Sequence, residues 1–187
     1  MTIHTLLLVR HGEASASWGD HIDPGLSKNG QKQAKNLIQF FSNEDLSSFD
    51  FFSSPKARAI ETSTPLAKSY KKHVIVNKRF SEIPSENIPN NKKQGWLKEI
   101  MLQDQSALPA MVKDWREKIF EELFLIKNNA IIFSHFMVIN AITSSILNSP
   151  NLLYFYPDYT SCTKIIFKNN EIKEIVLGDD KKTLINL

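Results

Sequence analysis

The chain has 187 residues, 42% hydrophobic and 23% charged, with 23 basic against 20 acidic side chains for a formal net charge of +3. That length closes one core within a single domain, residues 1–187, and the composition excludes a disordered or fibrous chain. The lysine pairs at 71–72, 92–93 and 181–182 are too short to form a nucleic-acid stripe, no apolar run reaches a membrane span, and one cysteine, Cys162, excludes an intramolecular disulfide or a cysteine-based metal cluster.

The first element is an apolar strand, Leu6-Leu7-Leu8-Val9, that runs directly into Arg10-His11-Gly12-Glu13. Unbroken apolar runs mark strands buried on both faces, and ligands of open α/β sheets collect outside the carboxyl ends of such strands. Arg10 and His11 are therefore expected at a site. A helix follows over residues 27–41, with Gly30, Ala34, Leu37, Ile38 and Phe41 on its inward face. The run Phe49-Asp50-Phe51-Phe52 reads as a second strand leading to Arg58, and Ser54-Pro55 reads as the capped start of a second helix. Its inward residues are Ile60, Ala67 and Tyr70.

Val74-Ile75-Val76 forms a third strand, leading through Arg79 and Phe80 to Glu82. The stretch from Pro84 to Gly95 has no period, and a small flap is expected at about residues 83–106. A helix over 107–127 carries Val112, Trp115, Ile119, Leu123 and Ile126 at helical spacing. Ala130-Ile131-Ile132-Phe133 is a fourth strand, delivering Ser134 and His135 and followed by a helix with Ile139, Ile142 and Ile146 inward. Strands at 163–167 and 172–177 flank the turn pair Asn169-Asn170 and form a C-terminal edge hairpin. This alternation predicts an α/β three-layer sandwich with a largely parallel central sheet flanked by helices.

Two arginines and two histidines converging at strand ends suit a phosphoryl group. Guanidinium forks match its oxygens in pairs, and an imidazole nitrogen can attack phosphorus, hold the group covalently and yield it to water. The cations stabilise the transferring charge without a metal, so neither a metal nor a cofactor is expected. The helix start at Pro55-Lys56-Ala57-Arg58 adds N–H groups that attract anions. Gly12 is expected to let backbone approach the phosphate, while Glu13 orients an imidazole or pairs with an arginine. Leaving-group protonation falls to Glu82, with Glu86 as the alternative.

These residues resemble the histidine phosphatase superfamily, also called phosphoglycerate-mutase-like, over most of the chain. The resemblance rests on Leu7-Leu8-Val9-Arg10-His11-Gly12-Glu13, on Leu26-Ser27-Lys28-Asn29-Gly30-Gln31-Lys32-Gln33-Ala34, on Ser53-Ser54-Pro55-Lys56-Ala57-Arg58-Ala59-Ile60-Glu61-Thr62, and on Ile132-Phe133-Ser134-His135. It implies His11 as nucleophile, Arg10, Arg58 and His135 as phosphate ligands, and Glu82 as proton donor. Three departures stand out. Phe136 follows the second histidine where many members have glycine, Ser17 stands where mutase-like members often carry asparagine, and Glu82-Ile83-Pro84-Ser85-Glu86-Asn87 replaces the usual Glu-x-x-x-Gly element. Trp18, in the loop after His11, joins Gly12, Ser17 and Phe136 as a candidate pocket residue.

The expected activity is a metal-independent phosphomonoesterase working through phosphohistidine on a phosphorylated small molecule or phosphoprotein. Alternatives are a protein phosphohistidine phosphatase, a phosphoglycerate-mutase-type transferase, disfavoured by the short span from Glu82 to His135, and a non-catalytic phosphate-binding domain. A zinc deaminase fails for want of a Pro-Cys-x-x-Cys element, and the nucleotide-binding glycine loops and the Gly-x-Ser-x-Gly elbow are missing. No membrane or nucleic-acid partner is expected. The absence of an export-signal pattern at Met1 and the lone cysteine predict a cytoplasmic protein, and the sequence does not state an oligomeric state.

Overall fold

A computed structural model describes residues 2–17 and 21–181. Six strands form one sheet in the order β3-β2-β4-β1-β5-β6: β1 (Ile3–Arg10), β2 (Asp50–Ser53), β3 (Val74–Val76), β4 (Ala130–Ser134), β5 (Cys162–Lys168) and β6 (Glu171–Val176). The first four strands pair in parallel, and β5 and β6 add an antiparallel edge. Asn169 and Asn170, at φ 52° and 65°, make the hairpin turn. Two successive left-handed residues match the right-handed twist of the strands, as the asparagine pair predicts.

The helices are α1 (Lys28–Phe40), α2 (Ala57–Ser69), α3 (Asn90–Leu102), α4 (Ala110–Leu125) and α5 (Phe136–Ile146). Side chains alternate across β1 and β4 and so feed two cores. Leu7, Val9, Ile131 and Phe133 pack with Leu37 of α1 and Leu66 of α2, whereas Leu6, Leu8 and Ile132 pack with Ile119 of α4 and Ile139 of α5. Helices therefore cover both faces of the sheet, and the expected three layers are present. Because α1 leaves β1 toward one face and α5 leaves neighbouring β4 toward the other, a crevice opens between their carboxyl ends, where open sheets bind ligands.

Several local expectations are revised. Ile38 is exposed at 43% although its helix and its inward neighbours Gly30, Ala34, Leu37 and Phe41 are as predicted. Helix α2 begins at Ala57 with Lys56 at the cap, two residues after the expected start; the Ser54 hydroxyl accepts the Lys56 N–H at 3.3 Å while also facing His135, and the Asp23 carboxylate accepts the Ala57 N–H. The region expected to be an aperiodic flap contains α3, whose Leu97, Ile100 and Met101 are buried against Val112 and Met137. His4, in a central strand, is buried and stacked on Phe167 with ring centroids 4.8 Å apart. Among the described residues no helix is long and apolar enough to cross a membrane.

Candidate active site

The carboxyl ends of β1, β2 and β4 are laced together by backbone hydrogen bonds. His11 N–H donates to the Ser134 carbonyl and Ser54 N–H to the Phe133 carbonyl, each at 2.9 Å. These bonds hold Arg10, His11, Ser54 and His135 at one rim. Arg58 reaches the same rim from the first turn of α2, and Glu82 arrives after a 3-10 turn, Lys78–Phe80. The Glu82 segment is tied down twice: the Ser134 hydroxyl donates to the Phe80 carbonyl at 2.8 Å, and the Trp115 indole donates to the Ser81 carbonyl at 3.0 Å. A cavity of about 480 Å³ opens here, with Arg10, His11, Arg58, Glu82 and Phe136 on its wall.

His11 is buried and its hydrogen bonds define its tautomer. Nδ1 lies 2.7 Å from the Gly12 carbonyl, which can only accept, so Nδ1 carries the proton. Nε2 then has a free lone pair, and Arg58 Nε donates to it at 3.1 Å. Burial, then the charges of Arg58 and Arg10, hold the His11 pKa well below its ordinary value, so the ring is neutral at physiological pH. A neutral, oriented imidazole with its lone pair facing a guanidinium has the chemistry to attack an electrophile.

Arg10 is fixed by the loop before β5. Its Nη1 donates to the Pro157 carbonyl at 2.8 Å, and its guanidinium lies 4.1 Å from the centre of the Tyr159 ring and 5.2 Å from that of Phe136. Thr160, next in the chain, sits at φ 58°, an unusual conformation for a β-branched residue, and its N–H donates to the Arg10 carbonyl. Arg10 Nε is buried and lacks a hydrogen-bond partner among the described residues. So does Nδ1 of His135.

His135 is fully buried and packs edge-on against His11 with ring centroids 5.2 Å apart. Its Nε2 lies 2.7 Å from the Ser54 hydroxyl, and when that hydroxyl donates, the ring proton sits on the unpartnered Nδ1. Burial and the neighbouring charges of Arg58, His11, Lys56 and Arg10 depress its pKa well below the usual value. His135 packs against His11, which lines the cavity, and is not itself part of the wall. Glu82 is half-buried and caps α5, its Oε1 accepting from Met137 N–H at 3.2 Å and from Ile83 N–H at 3.0 Å. Burial raises its pKa despite the opposing pull of Arg58, those N–H groups and Arg10. A carboxyl group whose hold on its proton is strengthened, on the same cavity wall as His11, is suited to proton transfer.

Other expected residues take different places. Gly12 is not on the cavity wall; a Cβ there would meet the Gly30 carbonyl oxygen at 2.9 Å, so its missing side chain admits α1 rather than a phosphate. Glu13 touches neither imidazole nor arginine: it accepts from the Ser27 hydroxyl and the Asn29 amide and secures the start of α1. Ser17 is half-buried and off the wall, which Ala14 and Ala16 supply, and Trp18 lies outside the described residues. Phe136 lines the cavity and flanks Arg10, and Glu86 is on the wall but exposed. Among the described residues no three His, Cys, Asp or Glu side chains are grouped to hold a metal.

Tyr159 and the Ser54 hydroxyl were not singled out from the sequence. A signal for Tyr159 existed, because β5 runs antiparallel to β1 and the residues entering it must arrive beside Arg10.

Fold and site together define an α/β protein with a cationic pocket at the carboxyl ends of its parallel strands. The chain belongs to the histidine phosphatase superfamily (branch 1), which it matches over residues 6–180. It is 29% identical over 107 residues to human 6-phosphofructo-2-kinase/fructose-2,6-bisphosphatase 4, covering 56% of this chain but only 23% of that protein. It is 38% identical over 82 residues to phosphoserine phosphatase 1 of Hydrogenobacter thermophilus, covering 42% of this chain and 38% of that enzyme. The fold aligns over its full length, with a TM-score of 0.71 and 22% identity, with all of a phosphoserine phosphatase from Entamoeba histolytica solved with 3-phosphoglyceric acid.

Proposed function

We propose that the protein is a metal-independent phosphomonoesterase that hydrolyses a small phosphate ester through a covalent phosphohistidine on His11. The observation that carries this reading is the His11 hydrogen-bond pair, which fixes the ring neutral with the Nε2 lone pair on the arginine side. In the first step Nε2 attacks phosphorus, the phosphorus–oxygen bond to the alcohol breaks, and Glu82 gives its proton to the departing oxygen. In the second, the Glu82 carboxylate takes a proton from water, whose oxygen attacks phosphorus, and the phosphorus–nitrogen bond breaks to restore His11 and release phosphate.

Arg10 and Arg58 neutralise the phosphoryl oxygens throughout. The buried, unpartnered Nε of Arg10, whose side chain is on the cavity wall, offers an N–H group that those oxygens can satisfy. Between the two candidate donors, Glu82 is favoured because it is half-buried and held by the Ile83 and Met137 N–H groups, whereas Glu86 is exposed. The relatives named above as phosphatases support hydrolysis, and a cavity of about 480 Å³ partly covered by Leu97 of α3 suits a small ester better than a folded phosphoprotein.

The test is hydrolysis of p-nitrophenyl phosphate with and without a chelator, in the parent and in His11→Ala. Activity that survives the chelator and vanishes in the variant is expected; unchanged turnover in His11→Ala refutes the nucleophile.

A further inference from the structure

Four residues close a ring of hydrogen bonds around His11, each accepting from one neighbour and donating to the next. His11 Nδ1–H donates to the Gly12 carbonyl at 2.7 Å, and Gly12 N–H donates to the Thr62 hydroxyl at 2.9 Å. That hydroxyl donates to the Arg58 carbonyl at 2.6 Å, and Arg58 Nε–H returns to His11 Nε2 at 3.1 Å. A backbone N–H only donates and a carbonyl only accepts, so the sense of both Thr62 bonds is fixed. All four residues are buried, Thr62 completely, and a buried polar group left unpaired is costly.

The bond from Thr62 to Arg58 is ordinary by itself. Thr64 and Thr143 make the same bond, to the carbonyl four residues back in their own helices, at 2.8 and 2.9 Å. Thr62 differs in its second bond, which crosses from α2 to the end of β1, 50 positions away in the chain. Gly12 has no side chain to hold its backbone, because α1 leaves no room for one. Its two flanking peptides are held through their N–H groups instead, one by the Thr62 hydroxyl and the other by Gln33 Oε1, which accepts from Glu13 N–H at 2.8 Å. The Gly12 carbonyl keeps the ring proton on His11 Nδ1, so the aim of that carbonyl decides whether Nε2 has its lone pair free.

We infer that Thr62 is a positioning residue: its one hydroxyl fixes the tautomer and aim of His11 and ties the helical turn carrying Arg58 to the strand end carrying His11. Thr62 is not on the cavity wall and acts only through these two neighbours. The kinetic consequence rests on the phosphatase reading, whereas the tautomer rests on the hydrogen bonds alone.

The test compares the parent with Thr62→Val, which keeps the shape and removes the hydroxyl, and with Thr62→Ser, which keeps the hydroxyl. Nitrogen-15 NMR of histidine-labelled protein distinguishes a protonated ring nitrogen from one with a free lone pair. In the parent and in Thr62→Ser, His11 is expected to show a protonated Nδ1 and an unprotonated Nε2; in Thr62→Val the two signals move toward a common value. For p-nitrophenyl phosphate, kcat/KM per folded molecule is expected to fall about tenfold in Thr62→Val, the factor that one hydrogen bond is worth, and to return in Thr62→Ser. Should Thr62→Val not fold, Thr62→Cys replaces it, because a thiol of similar volume is a weak donor and acceptor. A merely structural hydroxyl would lower the urea midpoint and leave the His11 signals and kcat/KM at their parental values, and that result overturns the inference. Slower hydrolysis with the His11 signals unmoved overturns it as well. Displaced signals in Thr62→Val alongside a parent that hydrolyses nothing keep the positioning role and remove only the phosphatase reading.

Discussion

Acidification gives a quantitative test of the buried imidazole. In the folded protein His11 and His135 hold their protons far more weakly than the ordinary 6.5, and burial is the first cause for both. Below pH 6.5 the unfolded chain therefore binds a proton at each that the folded chain refuses, and stability falls as pH falls. The limiting slope is about 1.4 kcal/mol per pH unit for each ring, about 2.7 for the pair. The stability is fully present above pH 6.5 and is lost progressively below it, until the depressed pKa values are reached.

Glu82 acts with the opposite sign. Its raised pKa favours the folded state at low pH, and that contribution is lost as pH rises from 4.5 through its folded value. His4, also depressed by burial, adds to the acid sensitivity. Both are common to the parent and to His11→Asn, as is His135, whose depressed pKa rests first on burial and then on Arg58, so His11 dominates the difference between the two proteins. Urea unfolding at several pH values between 5 and 8 is the assay. The variant is expected to lose less stability on acidification, by about 1.4 kcal/mol per pH unit near pH 5.5, and to run parallel to the parent above pH 7.5. Parallel curves throughout would mean that the folded ring takes up protons as freely as the unfolded one, and the neutral nucleophile would be refuted.

Gly12→Ala places a methyl group 2.9 Å from the Gly30 carbonyl oxygen and 3.2 Å from its Cα, both backbone atoms of α1. The expected cost is about 1–3 kcal/mol in urea unfolding, and an unchanged midpoint contradicts the packing role. Glu82→Gln is expected to slow hydrolysis by about a hundredfold for esters with poor leaving groups and little for p-nitrophenyl phosphate, while Glu86→Gln shows no such dependence. The reverse ranking would reassign the proton donor. Tyr159→Leu removes the ring stacked on Arg10, a contact worth about 1 kcal/mol, and is expected to raise KM roughly fivefold with a smaller change in kcat. Tyr159→Phe should restore the parent KM, and failure of that rescue would count against stacking.

Most of the sheet was legible because its strands are short apolar runs ending in polar residues, and the same runs carried Arg10, His11 and His135 to one rim. Long-range partners were not legible. Ser54 reads as a local helix cap and its hydroxyl does accept the Lys56 N–H, yet it also faces His135, 81 positions away, and Asp23 joins it at the start of α2. Glu13 sits two residues from His11, but both lie past the end of β1, where the strand's alternation no longer sets direction, and its carboxylate meets Ser27 and Asn29. Helix α3 was hidden because Pro89, Asn90, Asn91 and Gly95 dominate its first half, although Leu97, Ile100 and Met101 keep the three- and four-residue spacing of a buried face.

The most direct measurement is capture of the covalent intermediate. The protein is mixed with radiolabelled phosphate ester, denatured in alkali, where phosphohistidine survives, and digested for mass spectrometry. The account expects one phosphoryl group on the His11 ring, acid-labile and absent from His11→Ala. Label on any other residue, or steady turnover with no labelled protein under conditions that trap other phosphohistidines, would contradict it.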